Sequence, residues 1–386
     1  MKIRKAYKFR LKPNSKQENL FSRFAGCSRF VWNRGLALVK YNLDQKLGYL
    51  NYNTLADELT IWKQIKETDF INEVHSQPLQ QTLKDLDRAC KDAFKKEKCF
   101  PKFKKKGLGD SFRYPQGVNL SGSHVFLPKI GKVKFQKSRG IEGIVKNTTI
   151  SLRCGHWYVS FQVEIETEIE KRPLRDSVGI DLGISNFAYL STGETIEPLN
   201  SFRSLKKKLA KAQRNLSRKQ KFSNNWKKQK TKISRIHSKI ADCRKDFLQK
   251  QSSIISKNHA MIVLEDLKVS NMSKSAKGSI ENPGKNVKAK SGLNRSILDQ
   301  GWFEFRRMLE YKQLWSGGLL IAVNPKNTSR KCSECGHISK DNRKTQAVFV
   351  CQSCGHEDHA DHNAAKNILE AGLALLACGD IKPIAA

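Results

Sequence analysis

The sequence predicts a multidomain α/β protein, and three observations favour this fold class. Short apolar runs, two of which end in an acidic residue, indicate a core of buried strands between residues 173 and 325. Strand patterns at both ends of residues 1–172 enclose a stretch with helical periodicity, which indicates a small β-barrel with a helical insert. Paired cysteines after residue 331 indicate a metal-bound ribbon. A chain of 386 residues is long enough for two or three such domains.

Charge restricts the class of partner. Lys and Arg number 72 against 36 Asp and Glu, a formal net charge of +36. Such an excess repels itself and does not stabilise a fold, so a polyanion partner explains it best. The sequence contains no apolar run near the ~20 residues that span a bilayer and begins without a signal-peptide pattern. We therefore expect a cytoplasmic protein that binds nucleic acid and has no membrane partner.

The N-terminal strand and the helical insert have clear local signals. Residues 2–11 alternate between apolar and basic side chains, which predicts one buried face and one phosphate-facing side. Ser15 and Glu18 form a capping-box pattern, and further helices are predicted to begin near Thr54 and at Ser76. Residues 95–106 are basic with interleaved aromatics, which fits either solvated charge or a surface that tracks a nucleic-acid backbone.

Two stretches of the second half predict contrasting structures. Residues 202–257 are nearly free of Gly and Pro and rich in Lys and Arg, which indicates a long helical hairpin with a basic face, or else a solvated coiled coil. Residues 270–295 have little apolar content and predict a mobile loop able to gate a site. A helix is expected from about residue 296, followed by a buried strand at 319–323.

Three acids fall at the ends of separate elements. Asp181 lies in the run Val-Gly-Ile-Asp-Leu-Gly at 178–183, Glu265 follows Met-Ile-Val-Leu, and Asp361 begins a probable helix. Each segment alone also fits a buried strand that ends in a solvated acid. Together the acids suit Mg²⁺, because phosphodiester chemistry commonly uses two such ions about 4 Å apart held by shared carboxylates. The pattern is that of an RNase H-like nuclease core.

Four cysteines have the spacing of a zinc site. Cys332 and Cys335 form one Cys-x2-Cys pair and Cys351 and Cys354 another, fifteen residues later. Four thiolates complete a closed tetrahedral site, so we expect a structural Zn²⁺ with no open coordination position. His337 and His356 lie near enough in sequence to compete as ligands, although four thiolates are the simpler set. The other six cysteines are scattered singly, as in a reduced intracellular protein.

The motifs resemble those of the TnpB family, which are RNA-guided nucleases encoded by insertion-sequence transposons and similar to the ancestors of type V CRISPR effectors. The matching motifs are Gly-Ile-Asp-Leu-Gly at 179–183, Leu-Glu-Asp-Leu at 264–267, Thr-Ser-Arg-Lys-Cys-Ser-Glu-Cys-Gly at 328–336 and Asp-His-Asn-Ala-Ala-Lys-Asn-Ile at 361–368. Lys-Phe-Arg-Leu-Lys-Pro at 8–13 and Phe-Pro-Lys-Phe-Lys at 100–104 extend the resemblance essentially from end to end.

The resemblance implies a domain plan and an activity. The plan is a wedge β-barrel at 1–14 and 97–172, a helical recognition insert at 15–96, a RuvC-like nuclease at 173–325 and 357–378, a zinc-ribbon target-nucleic-acid-binding insert at 326–356, and a tail at 379–386. The implied activity is RNA-guided, Mg²⁺-dependent cleavage of DNA. One protein would bind one guide RNA from the transposon end, and would unwind and cut double-stranded target DNA beside a short transposon-adjacent motif.

The motif match assigns residues to roles. Asp181, Glu265 and Asp361 take the catalytic, magnesium-binding positions, while Asp266 and Asp358 are the acids most easily confused with them. The family often has Asp-Arg-Asp before its Asn-Ala-Ala, where this chain has His-Ala-Asp at 359–361, which leaves Asp358 hard to place.

The helical insert is expected to read the adjacent motif through Tyr52 and Gln80. A Gln amide can bridge adenine, and a Tyr ring can pack on a thymine methyl group. Two rival functions remain at this point: a nuclease-inactive, RNA-guided DNA-binding repressor, and a transposase that performs strand transfer with the same acids.

Overall fold

A computed structural model describes residues 1–170, 172–174 and 176–379 of the chain. The predicted tail at 379–386 therefore lies outside the described residues from position 380 onward. The chain divides into two compact units, Met1–Thr167 and Glu168–Ala386. In the described part of the chain, no helix is both long enough and apolar enough to cross a membrane.

The first unit contains one antiparallel sheet of seven strands. They are β1 (Lys2–Lys12), β2 (Ser111–Tyr114), β3 (Asn119–Ser121), β4 (His124–Leu127), β5 (Gly131–Phe135), β6 (Ile144–Arg153) and β7 (His156–Glu166). Their order is β2-β6-β7-β1-β5-β4-β3, which puts the N-terminal strand in the middle of the sheet. Within residues 1–167 the edge strands β2 and β3 do not pair with each other. Closure of the sheet into a barrel therefore stays a prediction.

The alternation expected for the N-terminal strand is confirmed. Ile3, Phe9 and Leu11 are buried, while Arg4, Lys8 and Arg10 are exposed. β1 pairs with β7 from Lys2↔Glu166 to Arg10↔Tyr158 and then continues beside β5 at Leu11↔Phe135. One strand thus joins the two parts of the sheet, and its Phe9 and Leu11 side chains lie in the core of this unit.

The helical insert follows β1 in the chain. Its elements are α1 (Ser15–Asp44), α2 (Tyr52–Gln64), a 3-10 helix (Lys66–Glu73) and α3 (Ser76–Phe94). The capping box of α1 is formed by Asn14 and Gln17, whose side chains each accept the other's backbone N–H. It therefore lies one residue before the predicted pair, because Asn caps a helix as well as Ser does. In the same way, Asn51 caps α2, and the helix begins before Thr54.

The basic run at 95–106 is partly folded onto α1. The backbone carbonyls of Lys102 and Lys104 accept hydrogen bonds from Trp32 Nε1 and Asn33 Nδ2. The ammonium group of Lys104 lies 3.7 Å from the centre of the Trp32 ring, and burial lowers its pKa. The Lys104 ammonium is thus held against Trp32, but residues 102–106 remain exposed overall, so both sequence-based interpretations of the run stay open.

The second unit is organised on a mixed five-stranded sheet. Its strands are β8 (Ser177–Leu182), β9 (Ala188–Leu190), β10 (Thr195–Ile196), β11 (Met261–Glu265) and β12 (Leu319–Val323), in the order β10-β9-β8-β11-β12. The strands β8, β11 and β12 are parallel, whereas β8, β9 and β10 form an antiparallel meander that turns at Gly193 with φ +92°. β13 (Val348–Val350) and β14 (Glu357–His359) form a separate hairpin in the cysteine-rich insert.

Six helices complete the second unit. They are α4 (Ser201–Ser217), α5 (Asn224–Asn258), α6 (Val269–Met272), α7 (Val287–Gln300), α8 (Trp302–Ser316) and α9 (Ala360–Ala377). The expected helical hairpin at 202–257 is confirmed as α4 and α5, which share a small apolar cluster around Leu209 and Ile236. The side chains outside this cluster are mostly basic and exposed.

The expected loop at 270–295 is only partly correct. Two helices occupy its ends, since α7 begins at Val287 rather than near residue 296 and α8 starts after a break at Gly301, where φ is +77°. Polar side chains replace the missing apolar contacts: Lys290 Nζ donates to the carbonyl of Met272, and Asn294 Nδ2 donates to that of Ser273. Hydrophobic periodicity cannot reveal an element held in this way.

Helix α9 packs unusually close to β8 at Gly179. A Cβ atom on this glycine would lie 2.2 Å from the carbonyl oxygen of Ala365 and 2.7 Å from the amide nitrogen of Leu369. Both atoms belong to the helix backbone and cannot move aside alone. The glycine beside Asp181 therefore fixes how near the helix that carries Asp361 can come to the sheet.

Replacing Gly179 with alanine should displace α9 and destabilise the second unit. We expect a cost of about 1–3 kcal/mol, the usual range for overpacking, and a matching drop in the melting temperature. Gly292→Ala is the matched control, because a Cβ there meets nothing within 4 Å and the residue lies inside α7. An unchanged melting temperature for Gly179→Ala would contradict this account of the packing.

Candidate active site

Asp181 and Glu265 lie on neighbouring parallel strands. Their approach is fixed by the register of β8 and β11, in which Leu264 pairs with Ile180, so each acid directly follows a paired apolar residue. Ile180 and Leu264 are fully buried and anchor both strands in the core. The two carboxylates are therefore delivered at the same level of the sheet, as the sequence predicts.

Asp361 reaches the same region from the first turn of α9. His359 caps this helix, its Nδ1 accepting the backbone N–H of Asp361 at 3.3 Å, and its ring stacks on Tyr189 of β9 with centroids 4.6 Å apart. The close packing at Gly179 holds the helix against β8. The residue that departs from the family pattern, His359, thus orients the backbone of the third acid.

The three acids influence one another electrostatically. Burial, together with the negative charges of Glu265 and Asp361, raises the pKa of Asp181 to about 7, and the nearby Arg343 acts in the opposite direction. Burial also raises the pKa of Glu265, against a hydrogen bond from Thr328. Like charges raise a carboxyl pKa only at short range, so Glu265 and Asp361 lie close to Asp181.

Two neighbours of the acids were missed by the sequence interpretation. Thr328 Oγ1 donates to Glu265 Oε1 at 2.6 Å, and Arg343 Nη2 donates to Asp361 Oδ1 at 2.9 Å. Thr328 begins the motif at 328–336, in which the sequence assigned a role only to the cysteines. Arg343 lies in the stretch between the cysteine pairs, where no sequence pattern points to a role.

Two other acids are engaged elsewhere. Asp266 pairs with Arg306 at 2.5 Å. Burial acts to raise the pKa of Asp358, but hydrogen bonds from His362 and Lys366 outweigh it and lower the pKa. Asp358 precedes α9 and stabilises its first turns. Both residues thus have local structural partners, in agreement with their exclusion from the proposed catalytic set.

The four cysteines gather as expected. Their Sγ atoms all lie within 4.8 Å of one another, with Cys332 and Cys354 at 3.7 Å and Cys335 and Cys351 at 3.5 Å. A tetrahedral zinc site with Zn–S bonds of 2.3 Å has S–S edges of about 3.8 Å. Gly336 and Gly355 follow the second cysteine of each pair with φ near +76° and +75°, the left-handed turn that glycine permits. The donor set and spacing therefore fit a zinc ion.

The arrangement of the acids differs from that of the thiols. Among the described residues, the four cysteines are the one group of three or more His, Cys, Asp or Glu side chains gathered tightly enough around a single point for one ion. The three acids are not gathered around a single point in this way.

The cysteine-rich insert is bonded to α9. Asn363 Nδ2 donates to the carbonyl of Lys331, its Oδ1 accepts the N–H of Ser333, and Asn367 Nδ2 donates to the carbonyl of Thr328. Both asparagines are buried. The insert and the helix that carries Asp361 are therefore one folded piece.

The two residues predicted to read a DNA motif lie on adjacent helices of the first unit. Tyr52 begins α2, and Gln80 is exposed in the second turn of α3. Lys84, one turn beyond Gln80, holds its ammonium 4.9 Å from the centre of the Tyr52 ring. Their role in recognition stays a prediction.

Residues in three regions match known families. Residues 160–276 match the family described as "Probable transposase", 302–368 match "Cas12f1-like, TNB domain", and 1–46 match "Helix-turn-helix domain". In the structure, the last of these regions is the strand β1 and the single long helix α1 rather than two short helices.

Two relatives align along nearly the whole chain. The "Putative RNA-guided DNA endonuclease InsQ" of Escherichia coli (strain K12) is 54% identical over 383 residues, covering 99% of this chain and 95% of the relative. A "Putative RNA-guided DNA endonuclease" of Streptomyces pristinaespiralis is 35% identical over 392 residues, covering 99% and 92%. The chain belongs to the TnpB family.

The TnpB fold of this chain is also similar to a solved structure. The structure titled "Cryo-EM structure of the Cas12f1-sgRNA-target DNA complex" aligns with a TM-score of 0.60 at 13% identity, covering 95% of this chain and 98% of the other. At this identity the likeness concerns the fold alone. The predicted multidomain α/β class is confirmed at this level.

Proposed function

We propose that this TnpB-family chain is an RNA-guided DNA endonuclease encoded by a transposable element. It binds a guide RNA from the transposon end, one protein per RNA, and cuts double-stranded DNA in the cytoplasm at the nucleoid. The observation that carries the proposal is the convergence of Glu265 and Asp361 on Asp181. The printed names of the E. coli and Streptomyces relatives support the same activity.

Asp181, Glu265 and Asp361 would hold two Mg²⁺ ions. When bound, such ions activate a water for in-line attack on phosphorus and stabilise the leaving 3′-oxygen. The donor set fits this metal, because carboxylate oxygens are its preferred protein ligands. The three acids are half-buried and need positive charge nearby, and Arg343 supplies a guanidinium to Asp361.

The surrounding residues orient the acids and influence their ionisation. Thr328 fixes the orientation of Glu265 through its hydroxyl, and His359 fixes the backbone of Asp361. Arg343 opposes the burial and the neighbouring negative charges that together raise the pKa of Asp181 to about 7.

The domain plan expected from the family applies to this fold. We assign 1–14 and 97–172 to a wedge barrel, 15–96 to the recognition insert, 173–325 and 357–378 to a RuvC-like nuclease, and 326–356 to a zinc ribbon. The strand order β10-β9-β8-β11-β12 supports the nuclease assignment, because it places two acids on adjacent central strands. A structural Zn²⁺ on Cys332, Cys335, Cys351 and Cys354 would hold the ribbon in shape.

Nucleic-acid partners follow from charge and from guide pairing. The net charge of +36 suits an RNA and a DNA duplex held together. Guide pairing would supply sequence specificity, while the protein reads duplex shape and a short adjacent motif, with Tyr52 and Gln80 as the expected readers.

A plasmid-cleavage assay tests the proposal. Ribonucleoprotein purified from cells that express the transposon end should cut a plasmid that carries the guide-matched sequence beside a permissive motif when Mg²⁺ is added. A scrambled target on the same plasmid is the control. Binding without cutting would favour a repressor, and joined DNA products instead of free ends would favour a strand-transferring transposase.

A further inference from the structure

A cavity of about 300 Å³ opens directly beside Glu265. Its walls are mainly apolar, with Leu264, Val269 and Trp302 among them, and the side chain of Glu265 forms part of its lining. The volume lies at the lower end of the ~300–1,000 Å³ range of ligand pockets, which suits one planar ring system rather than a larger molecule. Nothing in the proposed metal chemistry uses this space.

Trp302 lines another wall of the cavity and is only 4% exposed. Among the described residues its indole Nε1–H has no hydrogen-bond partner, and this nitrogen is screened from solvent. The side chain therefore contributes an apolar ring to the cavity wall and no donor that a bound molecule could reach.

The next residue, Phe303, places a solvent-exposed aromatic ring at the cavity. Phe303, on the first turn of α8, also lines the cavity, and 72% of it is exposed to solvent. Exposing a large ring beside an apolar cavity is unfavourable unless a partner covers it. A flat aromatic face is a stacking platform for a nucleobase.

The charges at the cavity are already paired. Arg306 contacts Asp266 at 2.5 Å and Glu310 at 3.2 Å, and Arg307 contacts Glu304 at 2.6 Å. These guanidinium groups are balanced by acids of the same chain, and Glu265 adds further negative charge. The lining therefore favours a neutral ring over a phosphate group.

We propose that this cavity receives a nucleobase of the DNA strand being cut, from a nucleotide next to the scissile phosphate. Phe303 stacks on the base, and the apolar ring of Trp302 forms part of the wall around it. Seating the base beside Glu265 holds the sugar-phosphate backbone against the acids. The inference rests on the proposed endonuclease function, and it assigns Phe303 as a positioning residue for that reaction.

A fluorescence measurement tests the binding step without requiring cleavage. Ribonucleoprotein carrying Asp181→Asn is mixed with target DNA in which 2-aminopurine replaces one base at a time around the cut position. We expect strong quenching of the 2-aminopurine fluorescence at one position next to the cut. The fluorescence should recover when the ribonucleoprotein carries Phe303→Ala as well as Asp181→Asn. Phe222→Ala is the matched control, since Phe222 is 74% exposed but does not line the cavity. Equal quenching at all positions, or no effect of Phe303→Ala, overturns the proposal.

A kinetic measurement tests the positioning step. With active protein, an abasic nucleotide at the quenched position should slow cutting about tenfold, as expected for loss of one base–aromatic stack. Phe303→Ala should be slow on normal DNA and insensitive to the abasic site.

The outcomes separate the two proposals. If wild-type protein cuts no substrate, the endonuclease assignment fails. If it cuts all abasic substrates at the same rate, the endonuclease stands and the base-binding cavity is wrong.

Discussion

Replacing Asp181 with asparagine should abolish DNA cleavage while leaving guide-RNA binding intact. Asparagine keeps the size of the side chain but cannot supply a charged oxygen to a metal ion. Losing one member of a catalytic set commonly lowers turnover by about 10³-fold or more. The measurement is the rate of plasmid cutting by purified ribonucleoprotein, with copurified RNA quantified in parallel. Cutting at the wild-type rate would exclude Asp181 from the site.

The same variant should be more stable than the wild type when metal is absent. The folded pKa of Asp181, about 7, lies above its ordinary value of 3.8. The folded protein therefore holds a proton that the unfolded chain has released, and its stability falls as pH rises from about 4 through about 7. The shift is about three pKa units, which corresponds to at most about 4 kcal/mol.

Thermal melts at several pH values test the predicted direction of this change in stability with pH. In EDTA, the wild type and Asp181→Asn should melt together near pH 4, and the variant should melt higher above pH 7. Adding Mg²⁺ should stabilise the wild type and not the variant. Asp358→Asn is a useful comparison: Asp358 has a lowered pKa from its His362 and Lys366 contacts, so its loss should destabilise near neutral pH.

Removing zinc, or replacing Cys351 with serine, should unfold the ribbon and slow DNA cutting. A metal-held segment of this size has little core of its own; Cys332, Phe349, Cys351 and Ala360 form its one small buried cluster in the described chain. The ribbon supplies Arg343 to Asp361, and its backbone bonds to Asn363 and Asn367 on α9. Losing these contacts should lower the cutting rate by about 100-fold, the upper range for groups that support a metal site.

The zinc prediction needs three readouts. Metal content should be one zinc per wild-type chain and none in Cys351→Ser, and the variant should show a new low-temperature melting step. Cys243→Ser is the control, because Cys243 is an exposed single cysteine on α5 that lies outside the cluster. Full cutting activity in a zinc-free variant would show that the ribbon does not support the acids.

Structural features that depend on a local sequence pattern were predicted well. Apolar runs that end in acids predicted β8 and β11, and the Cys-x2-Cys spacing predicted a cluster that the structure contains. Chain order alone placed the cysteine insert between β12 and α9. These features follow from periodicity and ligand spacing, which are read residue by residue.

Features that depend on tertiary contacts were not predicted. The helix α7 is held by Lys290 and Asn294 rather than by an apolar stripe, so the sequence resembled a loop. Arg343 becomes a partner of Asp361 only because the ribbon folds back onto α9. The cavity beside Glu265 likewise needs α8 packed near the end of β11, and no spacing along the chain encodes that meeting.

The position of Asp361 late in the chain affects how the protein is made. Asp181 and Glu265 leave the ribosome long before the ribbon and α9, whose Asn363 and Asn367 must bond to the finished ribbon. A nascent chain therefore carries its basic surfaces, and can engage RNA, before its third acid exists. Translation itself thereby postpones DNA cutting until a guide has had time to bind.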